Sequence, residues 1–159
     1  MTVQDVIAQR DHDRWGTPVQ GVLEDLSRQE CLDLLAALPI GRLVYTRQAL
    51  PAVEPVNFAV SNDEIVIRTR RAPVLAAAAR GDVVAFEADA FDSALSSGWS
   101  VTVIGRCRQA SDEESSRLRE LQLVSWTPGE NDHFICIGIG ASIVTGILLH
   151  PPGEGPLPG

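Results

Sequence analysis

The stretch Gly41–Thr69, GRLVYTRQALPAVEPVNFAVSNDEIVIRT, decides the fold class because it contains strand-like runs joined by short turns. The runs are GRLVYT, AVEPVNFAV and IVIRT, and RQALP and SNDE lie between them. In the middle run Val56 and Phe58 alternate with Asn57, as the two faces of a strand do. Strands so close in sequence pair antiparallel, since a parallel pair needs a crossover of about a dozen residues.

The rest of the chain predicts further strands at 83–90, 100–109, 134–139 and 143–149. Helices are predicted from a capping box at Ser27 to Pro39, over 73–80, and from a second capping box at Ser111 to about Leu123. We therefore predict a mainly β fold, an antiparallel β-barrel of about six to seven strands with three inserted helices. The last two strands are apolar at nearly every position, so we expect one of their sides to be buried against another subunit.

Composition excludes several classes of protein. The 159 residues are 45% hydrophobic and 21% charged, as in one ordinary globular domain. No apolar run reaches the length of about 18 residues that a membrane span needs. All 13 basic residues are arginine and the net charge is −8, so a broad basic face for nucleic acid is not expected.

The ends of the chain differ in composition from its middle. We expect an N-terminal arm over 1–23, the barrel domain over 24–149, and a disordered tail over 150–159, which holds four prolines and three glycines. The first residues lack the apolar core of a signal peptide. Three scattered cysteines form no disulfide framework, so the expected compartment is the reducing cytoplasm.

The most distinctive local signal is a cluster of arginines, Arg68-Thr69-Arg70-Arg71, at the end of a strand and just before a helix N-terminus. Free backbone N–H groups and the helix dipole attract anions there, and guanidinium groups match phosphate oxygens in pairs. One interpretation is a site for a phosphate-sized anion. The other is a solvated strand end whose arginines pair with surface acids, and the sequence leaves both open.

No motif for a resident nucleophile, metal site or phosphate-binding loop is present, so catalytic residues are not identified and no metal is expected. Difficult chemistry would then have to come from a cofactor. Trp99 with Ser100, and Trp126 further on, stand beside loops where they could form the wall of a ligand pocket or pack against the barrel. His133 precedes a strand, where a capping or interface role is favoured over catalysis.

The order of these segments, from GRLVYT through PVNFAV, IVIRT, an Ala-rich helix, GWSVTVIGR and WTPGENDHF, resembles the pyridoxamine 5′-phosphate oxidase-like family. The similarity covers residues 24 to 149 and is greatest to small members of the actinobacterial type. It implies a split β-barrel that forms a homodimer and holds flavin mononucleotide (FMN) between the two subunits.

The resemblance also implies roles for particular residues. Arg68 and Thr69 would meet the flavin phosphate beside the start of the next helix, and Trp99 and Ser100 would approach the flavin from their own or the partner subunit. Where relatives carry a Ser-Lys pair before Leu75, this chain has Pro73 and Val74, so Arg70 or Arg71 would have to replace the lysine. The residues implied along the flavin ring edge are Val56, Asn57 and Phe58, and Leu75 is also expected to contact the cofactor. Glu54 stands where relatives often have an arginine.

The leading hypothesis is therefore an FMN-dependent oxidoreductase with an unidentified small-molecule substrate, acting as a homodimer without nucleic acid or membrane. A deazaflavin-dependent reductase is a close variant of this hypothesis. The main rival is a barrel that binds flavin or haem without turnover, and a purely structural dimeric barrel is a third possibility. The replacement of lysine by Val74 and of arginine by Glu54 favours the rival.

Overall fold

The computed structural model describes residues 22–92, 97–124 and 132–151. Within these ranges lie the strands β1 (Val22–Asp25), β2 (Ile40–Arg47), β3 (Leu50–Ser61), β4 (Glu64–Thr69), β5 (Val83–Phe91), β6 (Gly98–Gln109), β7 (His133–Gly138) and β8 (Ile143–His150). The helices there are α1 (Arg28–Ala36), α2 (Ala72–Arg80) and α3 (Asp112–Leu118), and a 3₁₀ turn (Arg119–Leu121) follows α3.

Six of the strands close into an antiparallel barrel. Their order is β6-β5-β2-β3-β4-β7, and β7 pairs back with β6. Outside the barrel, β8 pairs with β6, and β1 pairs with β8 from Val22↔His150 to Asp25↔Ile147. The predicted mainly β, antiparallel barrel with three helices is confirmed. Strand β1 is not predicted by the sequence, and its four residues lie in and beside the predicted N-terminal arm.

The barrel interior is filled by alternate residues of its strands. Val56 and Phe58 point inward from β3, and the Phe58 ring lies 4.6 Å from that of Phe86 on β5. Gly41 on β2 leaves room for this pair, because a Cβ there would stand 2.2 Å from the Phe86 ring. The alternation predicted for β3 is therefore confirmed, and it places Asn57 on the outer side of the barrel wall.

A second, smaller core lies outside the barrel on β4 and β7. It contains Val66, Phe134 and Cys136, covered by leucines including Leu118 and Leu121 from α3 and the 3₁₀ turn. Strand β7 is thus buried on both faces within this chain. Its apolar sequence has this local explanation and requires no second subunit.

The helix ends follow local sequence signals. Both capping boxes form, with the side chains of Ser27 and Ser111 accepting the expected N–H groups. Gly81 ends α2 at a φ of 68°. The third helix is shorter than predicted. Gln122 takes a left-handed conformation with a φ of 51°, so the helical backbone cannot continue to Leu123.

Strand β6 changes partner along its length. It pairs with β8 from Gly98 to Ile104 and with β7 from Cys107 to Gln109. Gly105 lies between the two ladders, where a Cβ would be 1.9 Å from Oγ of Ser142 in the β7–β8 turn. The absence of a side chain therefore lets that turn lie against β6.

Some predictions concern residues outside the described ranges: most of the N-terminal arm, most of the tail, and the loop with Trp126. Among the helices that are described, none combines the length and the apolar character required to cross a bilayer.

Candidate functional site

The barrel wall opens beside the end of β4. Strand β3 pairs with β2 over residues 50–57 but with β4 only from Phe58 to Ser61, in the part of the chain described. Asn57 and Arg68 each lie one residue beyond the last β3–β4 pair, Phe58 with Ile67. Because Phe58 and Ile67 point into the core, Asn57 and Arg68 both point outward at this opening.

Asn57 has an unsatisfied acceptor. The residue is 9% exposed, and its side-chain amide donates to the carbonyl of Pro39 at 3.3 Å. Its Oδ1 is buried and accepts no hydrogen bond from any described residue. Buried acceptors are nearly always paired, so an N–H group of a ligand would be bound favourably at this point. Val56 and Phe58 beside it point inward and can contribute to a ligand site only through their backbone.

Arg68 is held on two sides. Its Nε lies 2.7 Å from Oδ2 of Asp132, and its Nη1 donates to the carbonyl of Leu123 at 3.0 Å. The guanidinium carbon stands 6.0 Å from the centre of the Phe134 ring. Within the described structure Nη2 makes no hydrogen bond. The side chain as a whole is 29% exposed, so an anion can reach the guanidinium group.

Asp132 contacts two arginines of the Arg68–Arg71 cluster, Arg68 and Arg70. Its side chain is 3% exposed, and Nε of Arg70 lies 3.7 Å from Oδ1. The three charges sum to +1, which keeps the site cationic in an acidic chain. Neither carboxylate oxygen accepts a hydrogen bond of regular geometry from a described residue, although Arg68 is at ion-pair distance.

Arg71 is directed elsewhere. Its Nη2 lies 3.2 Å from Oε1 of Glu54, and the Tyr45 hydroxyl donates to the same oxygen at 2.6 Å. Burial, followed by this hydrogen bond and the charge of Glu54, raises the pKa of Tyr45 to about 12. The arginine cluster of the sequence is therefore divided between two carboxylates, Asp132 and Glu54, and each has a buried or half-buried side chain.

The start of α2 supplies backbone donors next to the arginines. Thr69 is buried, and its Oγ1 accepts the N–H of Arg71 at 3.1 Å. The first helical hydrogen bond runs from Leu75 to the carbonyl of Arg71, so earlier N–H groups have no partner inside the helix. Pro73 contributes no N–H, as the sequence indicated. The remaining donors and the helix dipole still favour an anion. The Leu75 side chain is half-buried on the barrel core.

Trp99 and Ser100 are not brought to the arginines within one chain. Trp99 packs on the barrel core, and Ser100 donates to Oε1 of Glu87 at 3.1 Å on the outer face of β5 and β6. His133 contacts Gln109, with 3.1 Å between its Nδ1 and the amide nitrogen. Among described residues no group of three or more His, Cys, Asp or Glu is arranged to hold a metal.

Asp132 and the Leu123 carbonyl are the site groups that sequence reasoning missed. Asp132 directly precedes β7, and the pairing of Arg68 with Phe134 brings it to the arginines. The local sequence NDHF does not indicate the contact between Asp132 and Arg68, because this contact depends on the pairing of β4 with β7. Only the knowledge that β7 lies beside β4 would have identified it.

An apolar row crosses the outer face of five strands. Its members are direct cross-strand neighbours, in the order Ile143, Ile104, Ala85, Val44 and Val53. Ile143 is 64% exposed, Val53 59% and Ile104 40%. A continuous apolar strip on a sheet face is typical of a protein contact surface.

Comparisons with known proteins agree on the family. The family model described as pyridoxamine 5′-phosphate oxidase matches residues 27–135. An uncharacterized protein of Mycobacterium tuberculosis is 39% identical over 130 residues, which cover 79% of this chain and 84% of that protein.

Two solved structures are similar in fold and sequence. The FAD binding protein from Mycobacterium smegmatis is 31% identical with a TM-score of 0.60, and the match covers 80% of this chain and 98% of that one. A protein from Corynebacterium glutamicum is 27% identical with a TM-score of 0.68, and the match covers 89% of this chain and 100% of that one.

Proposed function

Because this chain belongs to the pyridoxamine 5′-phosphate oxidase family, we propose that it binds a flavin nucleotide and acts as a flavin-dependent oxidoreductase on a small molecule. The observation that carries the proposal is the cationic Arg68–Asp132–Arg70 group beside the unsatisfied acceptor of Asn57 at the barrel opening. The flavin-binding relative from Mycobacterium smegmatis supports the choice of ligand.

The donor set fits a flavin nucleotide. Nη2 of Arg68, the Arg70 guanidinium and the first backbone N–H groups of α2 would hold the phosphate. Oδ1 of Asn57 would accept an N–H of the flavin ring, and the unpaired edge of β3 would lie along that ring. The flavin, when bound, supplies the capacity to accept or donate electrons or hydride. The protein's part is to orient the ring and to exclude water.

FMN is the first candidate for the cofactor, and FAD is the alternative because the Mycobacterium smegmatis relative is an FAD binding protein. The absorbance spectrum of the purified protein, followed by chromatography of the released cofactor, distinguishes them. Flavin bands with released FMN or FAD support the proposal. A haem or deazaflavin spectrum, or a colourless protein that takes up no flavin on titration, contradicts it.

We further propose that the site is completed by a second copy of this chain. The apolar row from Ile143 to Val53 is the surface that the second copy would cover, and Trp99 and Ser100 would approach the flavin from the partner. Ile104→Glu places a charge in the middle of the row and is expected to give monomers in light scattering. Leu50→Glu, at an exposed residue in the β2–β3 hairpin, is the matched control. Monomeric wild-type protein contradicts the dimer.

The expected compartment is the reducing cytoplasm. Cys31, Cys107 and Cys136 are all buried and free. Burial raises the pKa of each thiol, so none has the thiolate character of a redox cysteine. Such cysteines behave as small core residues, which is the usual role in reducing compartments. Detection of the native protein in a secreted fraction would contradict this expectation.

A second candidate is a flavin-binding protein without turnover. It is favoured by the two carboxylates, Asp132 and Glu54, that already engage the arginines and lower the positive charge available to a phosphate. Anaerobic mixing of the flavin-loaded protein with a reduced nicotinamide separates the candidates. Bleaching of the flavin, with reoxidation by an added acceptor, supports the oxidoreductase, and an unchanged spectrum supports the binding protein.

Titration of Arg68→Ala tests the site directly. Loss of a charge-assisted contact to phosphate is expected to weaken FMN binding by about tenfold or more. Arg80→Ala is the matched control, because Arg80 is a solvent-exposed arginine paired with Asp82 at the other end of α2. Equal FMN affinity of both variants and the wild type would refute the role of Arg68.

A further inference from the structure

We propose that Asp132 is a positioning residue that holds Arg68 and Arg70 together for the flavin phosphate. The inference rests on the proposed function and assigns a role to an acid in the middle of an anion site. An acid at that place is unexpected, because its charge opposes a phosphate.

The geometry explains why the acid is there. Asp132 approaches the Nε atoms of Arg68 and Arg70, at 2.7 and 3.7 Å, rather than the outer guanidinium nitrogens. Two guanidinium groups so close to one carboxylate would repel each other without it. The contact through Nε places the Arg68 guanidinium beside Asp132, and the hydrogen bond from Nη1 to the Leu123 carbonyl orients it with Nη2 left for a ligand.

The cost of this arrangement argues against a purely stabilising role. A buried carboxylate is expensive unless its lone pairs are well satisfied, and buried ion pairs add little net stability. The side chain of Asp132 is 3% exposed and lacks regular hydrogen bonds from described residues. By contrast, Arg108 makes regular hydrogen bonds to Glu64 and Glu114 at the surface, where ion pairing has no such cost.

The direction in which Asp132→Asn changes FMN affinity distinguishes a positioning role from a purely electrostatic one. Asp132→Asn removes a negative charge, so Coulomb interaction alone predicts tighter binding of FMN. Positioning predicts weaker binding, because the arginines lose their common counter-charge and separate. Riboflavin, which has the ring but no phosphate, reports any general damage to the site.

The experiment is a fluorescence titration of the wild type and variants with FMN and with riboflavin near neutral pH. For Asp132→Asn we expect FMN affinity to fall about tenfold and riboflavin affinity to change less than about twofold. Asp82→Asn is the matched control, since Asp82 also lies 2.7 Å from an arginine, Arg80, away from the site, and it should bind both ligands like the wild type.

Asp132→Glu gives a second test that does not depend on the folding of the first variant. It keeps the charge but displaces the carboxylate by one methylene, so charge alone predicts no change and positioning predicts weaker FMN binding. An unchanged or increased preference for FMN over riboflavin in both variants would overturn the positioning role and leave the proposed function standing. A wild type that binds no flavin would overturn the proposed function, and the positioning role with it.

Discussion

The titration of Tyr45 offers a direct test of the polar cluster formed by Tyr45, Glu54 and Arg71. Tyr45 is the single tyrosine of the chain, so its phenolate signal is free of overlap from other tyrosines. The residue is 3% exposed, and its hydroxyl donates to Glu54. Burial is the largest cause that moves its pKa from 10.0 to about 12, and the hydrogen bond to Glu54 comes next.

This shift has a defined consequence for stability. An unfolded chain loses the phenol proton near its ordinary pKa, whereas the folded chain keeps it until about pH 12. The contribution of Tyr45 is therefore complete below pH 10.0 and is lost as pH rises through the folded pKa. Two units correspond to about 3 kcal/mol, and at about pH 11 a tenth of Tyr45 and nine-tenths of a free tyrosine would be phenolate.

The assay is a pH jump in a stopped-flow instrument, with phenolate absorbance read before the protein unfolds. Glu54→Gln should lower the midpoint but leave it above that of free tyrosine, because burial remains. Tyr45→Phe should remove the signal and the part of the alkaline loss of stability that Tyr45 causes, whereas the part due to the buried cysteines, whose pKa values are also raised, should remain. A wild-type midpoint equal to that of free tyrosine in the folded protein would refute the buried hydrogen bond.

Three further perturbations have clear expected outcomes. Arg68→Met should cost about 3 kcal/mol in chemical denaturation because the buried Asp132 loses its nearest counter-charge, and adding Asp132→Leu should restore most of it; additive costs would contradict the pairing. Ala49→Gly should raise stability by about 0.5 to 1 kcal/mol, because Ala49 has a φ of 62° in the β2–β3 turn; an unchanged melting temperature would argue against that strain. The hydrogen bond from Arg108 is the largest cause that lowers the pKa of Glu114 to about 2, so its contribution is present above pH 4.5 and lost as pH falls through about 2. Glu114→Gln should remove this small part of the acid dependence, and an acid denaturation curve identical to that of the wild type would contradict it.

The parts of the fold that depend on local physics were predictable from the sequence. Alternation along β3 identified Val56 and Phe58 as inward residues, because the two faces of a strand are set by a period of two. Ser27 and Ser111 identified two helix starts, because the capping box involves residues only three positions apart. Short turns identified the antiparallel order of β2, β3 and β4.

The parts that depend on distant pairing were not predictable. Arg68 could be recognised as an anion-binding candidate from its place before a helix, but its carboxylate partner could not, since Asp132 reaches it only through the β4–β7 ladder. The division of Arg71 from Arg68 likewise follows from the contact of Arg71 with Glu54 on β3. The early end of α3 reflects the backbone of Gln122, for which the sequence has no glycine signal.

Gly105 has a consequence for the sequences that can adopt this fold. A methyl group at this position would collide with Oγ of Ser142, so either this side chain rotates and gives up its hydrogen bond to the Gly138 carbonyl or the β7–β8 turn shifts away from β6. Because β7 closes the barrel and β8 extends the sheet, a shift of that turn would disturb both. A homologue could accommodate a larger residue at 105 by replacing Ser142 or by changing the path of the turn. Residue identity at 105 should therefore covary with residue 142 and with turn length across an alignment of relatives.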